Sequence, residues 1–459
     1  MRFAWVPLVA HLLLATTGNA QLLAAPADSA MRAAEQAGFS GVVRLEKAGS
    51  VVLEKGYGLA VRKPSTRFTP ATVVQIGSNT KDFTAVAILQ LQERGRLNIK
   101  DSLGKFFPGA PADKRGITLF QLMKHRAGFP LGLGRDFEPV GREQLIKNAM
   151  KFRLLSKPGE RENYSNTGYS ILAAIIEQVS GGTYDSYVQE NILSPLGLRH
   201  TGFLLPGFKM NQLAHGYTQN GDDAGTMLSK PHAADGPYWN LRGNGGMLST
   251  VSDMHTFYNA LFEGDKLLSP RTRDIMFHAD EPVGLAGSDR VNFFLYERDP
   301  VAHTEMIIAS NDAKHRAPLV RQSLARVFGL PTAVGNEKGG EGGAQVHPIG
   351  KAPAREVSAV ISGLVAAINS GDNKRLLDFI TAHFESGPSA PKPEERVARV
   401  GGVHQNLGDI TVNRMYDSGD GPIQVAIQTH NEGAGTLIVD IDRIAPYKIK
   451  RVGVKIGGD

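Results

Sequence analysis

The chain has 459 residues and carries 51 lysines and arginines against 45 aspartates and glutamates, a formal net charge of +6. Hydrophobic residues make up 41% and charged residues 21% of the sequence, which is typical of a globular protein and excludes a wholly disordered chain. There is no cysteine, so disulfides, thiolate metal sites, iron–sulfur clusters and a cysteine nucleophile are excluded. The weak positive charge contains no basic run, which argues against a nucleic-acid partner.

The N-terminal segment has the layout of an export signal. Arg2 supplies a charged start, an apolar stretch covers residues 3–15, and Gly18 and Ala20 place small residues before a cleavage site after Ala20. We therefore predict that residues 1–20 are a signal peptide and that the mature protein is periplasmic or secreted, without stable membrane insertion. A buried N-terminal helix and a retained membrane anchor are the two alternatives.

Strand-like and helix-like patterns follow in a definite order up to about residue 330. The pattern predicts a hairpin over 39–62, helices near 78–96, 117–128, 167–180, 251–262 and 316–328, and strands at 291–296 and 303–310. Strands therefore open and close this region, and helices fill its middle. This order favours an α+β fold with one antiparallel sheet built from both ends of the segment and a helical subdomain packed on it.

The remainder of the chain has the pattern of a second, smaller domain. Residues 332–355 are rich in glycine, polar and without period, which is typical of a linker. Residues 356–383 are helical in pattern, and alternating segments follow at 409–415, 422–430, 435–442 and 447–456. The predicted plan is a signal peptide (1–20), a main domain (21–331), a linker (332–355) and a small α+β accessory domain (356–459) that resembles the cone-shaped SnoaL-like fold.

Ser78 and Lys81 form an S-x-x-K pattern at the start of the most apolar predicted helix. Residues three apart share a helix face, so the hydroxyl and the amine can meet. A serine hydroxyl becomes a good nucleophile only when a base removes its proton, and a buried lysine that is partly neutral can be that base. By itself the pattern fits equally an N-capping serine followed by a solvated lysine.

A second polar group precedes the predicted helix at 167–180. Tyr164 offers a phenol for proton transfer, and Asn166 offers an amide that can orient a substrate carbonyl. The alternative interpretation is a helix-capping asparagine beside a packed tyrosine. Two carboxylates, Asp82 and Glu162, border these motifs, and we expect both to be solvated or capping groups. We expect His125 to pack near the 117–130 turn and to take no part in catalysis.

Residues 37–330 resemble the serine β-lactamase-related hydrolases, which include class C β-lactamases, D,D-peptidases, D-aminopeptidases and carboxylesterases of β-lactamase fold. The resemblance is carried by the order and spacing of GSNTKDFTAVAILQLQERGRLNIKDSL, ITLFQLMKHRAGFP, GERENYSNTGYSILAAIIEQVSGGTYDSYVQENILSPLGL and GNGGMLSTVSDMHTFYNAL. It implies Ser78 as the nucleophile, Lys81 as its partner, Tyr164 as the general base and acid, and Asn166 as the amide that orients the substrate.

The sequence departs from this family at the third motif, which carries lysine or histidine, then threonine or serine, then glycine. The best match is GLAGS at 284–288, where Leu285 and Ala286 replace the cation and the hydroxyl. Gly287 and Ser288 remain candidate substrate-binding residues, because the amide after Gly287 and the amide of Ser78 can together bind an oxyanion. The segment before Gly284 is short, as if a strand were missing. His278 or His303 could replace the lost group, although each is expected to be a surface histidine.

These observations predict a secreted serine hydrolase that forms an acyl-enzyme on an ester, amide or peptide-like substrate. Loss of the third-motif cation favours a small ester or neutral amide over a β-lactam carboxylate. The alternative is a degenerate family member that binds peptidoglycan-like or peptide ligands without turnover. The pattern of histidines and glycines indicates no metal and no dinucleotide cofactor.

Overall fold

The computed structural model describes residues 9–204, 207–289, 291–313, 317–330, 354–386, 390–416, 422–431, 433–442 and 445–456, with side-chain burial from residue 21 onward. Its main sheet is antiparallel and has five strands. Numbered in chain order, they lie side by side in the order β2-β1-β5-β4-β3. The sheet combines the two ends of the main domain, as predicted, because the first strand pairs with the last (Val43 opposite Ile308). The five strands are β1 (Gly41–Lys47), β2 (Ser50–Tyr57), β3 (Val283–Ser288), β4 (Phe293–Asp299) and β5 (Thr304–Ser310).

The two faces of this sheet belong to different apolar clusters, as the two-residue period of a strand requires. On β1, Val43 and Leu45 pack with Met31 of helix α1 (Val9–Gln36) and with helix α7 (Ala317–Phe328). The opposite face, which includes Val42, belongs to the largest core cluster, together with the central helices. The sheet is thus covered on both faces.

The central helices supply the other side of the largest core. Helix α2 (Thr80–Glu93) is apolar around most of its circumference and is almost wholly buried, as predicted for a helix inside a domain. The principal central helices are α2 (Thr80–Glu93), α3 (Leu119–Met123), α4 (Arg142–Lys151), α5 (Asn166–Ser180) and α6 (Val251–Phe262). Shorter helical segments are Gly77–Asn79, Leu103–Phe106, Ala112–Arg115, Tyr184–Val188, Gln189–Leu193, Ser194–Leu196, Met210–Gln212, Met227–Ser229 and Pro270–Arg273, and short strands are Leu59–Val61, Thr66–Arg67, Val74–Gln75, Gly216–Tyr217, Asp223–Gly225 and Leu248–Ser249.

The C-terminal region contains three helices and a four-stranded antiparallel meander with its own apolar cluster. The elements are α8 (Arg355–Asn369), α9 (Asn373–His383), α10 (Pro393–Leu407), β6 (Ile410–Tyr416), β7 (Ile423–Thr429), β8 (Gly433–Ile441) and β9 (Ile449–Ile456). The sequence pattern did not predict α10. Its Gly401-Gly402 pair lowers the local helix propensity, and one of its buried positions is Arg396, which lies over the Phe384 ring instead of showing an apolar period.

The predicted signal peptide and linker are described only in part. Helix α1 begins at Val9 and continues past Ala20, and its second half contributes the buried residues Ala27 and Met31 to the domain. Among the described residues, every helix is too short or too polar to be a candidate for crossing a membrane. Most of the predicted linker lies outside the described residues, which resume at Ala354.

Candidate active site

Ser78 lies in a tight turn that joins a short strand to helix α2. The turn begins at Gly77, whose φ of +53° lies in the left-handed region that glycine adopts without strain. A Cβ at this position would stand 2.6 Å from the backbone nitrogen of Ser288, so only glycine allows the turn to approach β3 this closely. The Thr80 hydroxyl donates to the Gly77 carbonyl at 2.7 Å and closes the turn.

Lys81 lies one helical turn away from Ser78 and is 5% exposed. Its Nζ is 3.0 Å from the Ser78 Oγ and donates to the Asn244 carbonyl at 2.7 Å. Burial lowers the pKa of Lys81 from 10.5 to about 7, although the nearby carboxylates of Asp82 and Asp136 favour the charged form. Near neutral pH the amine is therefore neutral for a large part of the time and can accept a proton.

Tyr164 completes a three-residue arrangement around the nucleophile. Its hydroxyl donates to the Ser78 Oγ at 2.8 Å, and the Lys81 Nζ lies 4.9 Å from the centre of its ring. Burial raises the pKa of Tyr164 well above its ordinary value, so the phenol stays protonated. The sequence motifs at 78–81 and 164 therefore meet at hydrogen-bond distance.

Asn166 stands at the first position of α5, directly after the N-capping Ser165. The amide oxygen of Asn166 is buried and accepts no hydrogen bond among the described residues, and the side chain lines the cavity next to Ser78. The structure thus places Asn166 beside the nucleophile, and its orienting role stays a prediction.

Strand β3 brings the third motif to the site, and the short segment before it, which the structure describes throughout, contains the helix Pro270–Arg273 and no strand, as its length suggested. A Cβ on Gly287 would stand 2.1 Å from the Ile76 carbonyl and 2.5 Å from the Ser78 nitrogen, so the strand and the nucleophile turn are in direct backbone contact there. The backbone nitrogens of Ser78 and Ser288 flank this contact. Leu285, two residues earlier, packs against the largest apolar core, so its position supplies no polar group.

Neither His278 nor His303 lies where it could replace the missing cation of the third motif. His303 lies in the exposed turn between β4 and β5, where its carbonyl accepts from Ala48. This turn is at the end of β4 opposite Phe293, the residue that pairs with Ser288. His278 lies before β3 and outside the residues that line the cavity.

Asp82 is not the solvated or capping group that was expected, whereas Glu162 is exposed as expected. Asp82 is half-buried and accepts from the Tyr258 hydroxyl at 2.7 Å, and that hydroxyl in turn accepts from the Asn79 amide at 2.7 Å. Burial raises the pKa of Asp82 to about 7. The helix α6 residue Tyr258 thus links Asn79, which follows Ser78, to Asp82, which follows Lys81, a role that no sequence signal indicated.

A cavity of about 470 Å³ opens beside Ser78. Its wall combines apolar side chains with neutral polar ones, and three charged residues are also present. The apolar residues include Phe137, Met227, Leu241 and Val291, the neutral polar ones include Gln75, Asn166, Thr218, Gln219, Asn244 and Asn292, and the charged ones are Asp136, Lys230 and Asp289. Burial raises the pKa of Asp289 above its ordinary value. Such a cavity is large enough for a small substrate.

One group of potential metal ligands occurs among the described residues, on the sheet and not at Ser78. It consists of Glu46, His255 and Glu305, whose ligand atoms lie within 4.8 Å of one another. Arg44 donates to Glu46 at 3.1 Å, and its guanidinium also lies 3.8 Å from Glu305. Since Arg44 and His255 already contact these carboxylates, we interpret the group as a structural ion network.

Comparison with known proteins agrees with this geometry. Residues 27–289 match the beta-lactamase family, and the chain belongs to that family. It is 33% identical to PbpX of Bacillus subtilis over 243 residues, which cover 53% of this chain and 60% of PbpX. The chain therefore spans less than two thirds of this curated relative.

Solved structures show the same fold at lower identity. FmtA of Staphylococcus aureus aligns with a TM-score of 0.56 and 24% identity over 66% of this chain and 88% of FmtA. The octameric penicillin-binding protein homologue of Pyrococcus abyssi aligns with a TM-score of 0.57 and 22% identity over 94% of this chain and 96% of its own. The Pyrococcus alignment extends beyond the main domain.

Proposed function

We propose that the chain is an exported serine hydrolase that acts through an acyl-enzyme. The observation that carries this proposal is the contact of one hydroxyl, Ser78, with both a buried amine and a half-buried phenol at the wall of a cavity. Burying a lysine beside a serine destabilises the fold, because burial disfavours the charged amine. A serine with a purely structural role would not require this arrangement. Perturbed groups of this kind are typical of active sites.

The family resemblance implies Tyr164 as the general base, whereas the pKa shifts of Lys81 and Tyr164 favour Lys81 as the base and Tyr164 as the acid. Neutral Lys81 accepts the Ser78 proton as Oγ attacks the carbonyl carbon of the substrate, and the carbonyl oxygen becomes an oxyanion between the amides of Ser78 and Ser288. Tyr164, which is protonated, donates to the leaving group and regains a proton from Lys81. The carbon–leaving-group bond breaks, and the acyl group stays on Ser78 until water attacks and releases the acid.

The substrate class follows from the third motif and the cavity. Leu285 offers no charge for a substrate carboxylate, and the cavity wall offers several neutral amides and hydroxyls. We therefore favour small esters and neutral amides, and β-lactam hydrolysis is not expected. Among the described residues that line the cavity, Lys230 is the positively charged one. Its Nζ donates to the Ala224 carbonyl at 2.5 Å.

A panel of p-nitrophenyl esters tests this function. Wild-type protein should hydrolyse short neutral acyl esters, and Ser78→Ala should lower kcat by about 10⁶-fold, the scale on which loss of a nucleophile acts. Monoesters of dicarboxylic acids and the chromogenic β-lactam nitrocefin serve as anionic comparisons. Preference for the anionic esters that disappears in Lys230→Met would overturn the neutral-substrate proposal.

Ligand binding without turnover is the second candidate, and the apolar Leu285 in place of a polar group favours it. In that case the protein binds a peptidoglycan-like or peptide ligand while wild type and Ser78→Ala are equally inert toward every ester. Calorimetric titration with a D-alanyl-D-alanine peptide separates the two functions. Binding with no hydrolysis supports the second candidate.

We also propose that residues 332–459 are an accessory region and that residues 1–20 direct export. A protein lacking 332–459 should keep ester hydrolysis, and complete loss of chemistry in a stable truncated protein would contradict the accessory role. Mass spectrometry of the mature protein after expression in a bacterium tests the predicted cleavage after Ala20.

A further inference from the structure

His125 lies directly beside the active-site tyrosine although no step of the proposed reaction uses it. It follows the short helix α3, is 8% exposed, and has a φ of +54°. Positive φ is uncommon for a residue other than glycine, and histidine is among the residue types that adopt it most readily. Its position beside Tyr164 calls for a reason beyond filling space.

The contacts of His125 bracket Tyr164 on both sides. The Asn163 N–H donates to the His125 carbonyl at 2.7 Å, and the Ser165 N–H donates to the His125 Nδ1 at 3.1 Å. The imidazole also lies against the Tyr164 ring, with centroids 4.4 Å apart and planes inclined by 40°. One residue thus holds the backbone before and after the tyrosine and one face of its ring.

The surroundings of His125 keep its imidazole in the neutral form. Burial, with a smaller contribution from the charge of Lys81, lowers the pKa of His125 to about 3. The imidazole is therefore neutral at physiological pH, and its Nδ1 remains available as an acceptor for the Ser165 N–H. A neutral ring also adds no positive charge next to Lys81.

We propose that His125 is a positioning residue for Tyr164, holding the phenol in line with the Ser78 hydroxyl through the Nδ1 contact with Ser165 and the carbonyl contact with Asn163. The inference rests on the proposed serine-hydrolase function. It assigns no proton transfer to His125.

Two substitutions isolate the side-chain acceptor from the backbone conformation. Asparagine tolerates a positive φ and places an acceptor oxygen near the position of Nδ1, whereas glycine tolerates the same φ and has no acceptor. Both remove the ring, so the difference between His125→Asn and His125→Gly reports the acceptor. Arg126→Ala is the matched control, because Arg126 is the neighbouring residue, is exposed, and its side chain donates to the Gly159 carbonyl and not to the Tyr164 segment.

Steady-state kinetics on the best neutral ester give the readout. We expect His125→Gly to lower kcat by about 10²-fold with KM within threefold of wild type, since small misplacement of a catalytic group has effects of this size. His125→Asn should recover kcat to within about tenfold of wild type, and Arg126→Ala should match wild type. The acid limb of the pH profile should be the same in His125→Asn and wild type, because Lys81 and not His125 sets it.

Three results would overturn the inference: an unchanged kcat in His125→Gly, equal losses in the asparagine and glycine variants, or loss of the acid limb in His125→Asn. If His125→Gly does not fold, His125→Leu takes its place in the comparison. Wild type that hydrolyses no ester refutes the proposed function first, and the positioning role with it. An active wild type with an unaffected glycine variant refutes the positioning role alone.

Discussion

Replacing Lys81 by methionine should stabilise the protein while it abolishes the chemistry. The lysine pKa falls from 10.5 in its ordinary state to about 7 in the fold, which corresponds to a folding penalty of about 5 kcal/mol at 1.36 kcal/mol per pKa unit. Because the folded pKa lies below the unfolded one, the penalty is fully present below pH 7 and disappears as the pH rises toward 10.5. It amounts to about 4 kcal/mol at pH 7 and about 2 kcal/mol at pH 9.

Methionine has a similar volume but leaves the Asn244 carbonyl without the donor that it has at 2.7 Å, at a cost of about 1–3 kcal/mol. Lys81→Met should therefore be more stable than wild type by about 1–3 kcal/mol at pH 7, and this advantage should shrink by about 2 kcal/mol at pH 9. Asp82 has a pKa that burial raises to about 7, and loss of the Lys81 charge makes ionisation of Asp82 harder. Asp82 therefore also reduces the stability advantage of Lys81→Met as the pH rises from 7 to 9.

Urea unfolding followed by tryptophan fluorescence measures this difference, since Trp239 is buried in the same domain. Lys100→Met is the control, because Lys100 is exposed and its loss should shift stability equally at both pH values. A stability difference between Lys81→Met and wild type that does not change from pH 7 to pH 9 would refute the reasoning. It would mean that Lys81 titrates in the fold as it does in water.

Three further predictions follow from the site. Ester hydrolysis should rise with pH through an apparent pKa near 7, set by Lys81, with no fall before the ordinary tyrosine range; a pH–kcat profile that is flat from pH 5 to 9 would contradict this. Tyr258→Phe should lower the free energy of unfolding by about 1–3 kcal/mol because it leaves the Asp82 carboxyl without its donor. Tyr296→Phe should not lower it, since the buried Tyr296 hydroxyl bonds to nothing among the described residues and its removal breaks no hydrogen bond. Equal losses in the two variants, measured by urea unfolding, would refute the Asp82 link. Gly287→Ala should abolish ester hydrolysis, because its Cβ would stand 2.1 Å from the Ile76 carbonyl; retention of wild-type kcat would show that β3 does not abut the nucleophile turn.

The fold could be predicted from the sequence where burial follows a simple period. The hairpin at 39–62 and the helices near 78–96, 167–180 and 251–262 appear in the structure within a few residues of their predicted bounds. Pairing of the first and last strands followed from the order of elements. Helix α10 was missed because its buried side includes an arginine and its interior a glycine pair.

The candidate site could be predicted only for residues that a motif marks. Ser78, Lys81 and Tyr164 stand in recognisable patterns, and the structure brings their polar atoms together. The links through Asp82 and His125 depend on contacts between segments distant in the chain, such as Tyr258 with Asp82. An acidic residue in the first turn of a helix resembles a solvated capping group, so the local sequence could not indicate its burial.

The most direct test of the account is the mass of the protein after reaction with a fluorophosphonate. The probe should add one phosphonyl group, located on Ser78 by peptide mapping. The Ser78→Ala protein should remain unmodified, and Lys81→Met should react far more slowly than wild type. A folded wild-type protein that gains no mass, or that is modified equally in the presence and absence of Ser78, would contradict the claim that this hydroxyl is an activated nucleophile.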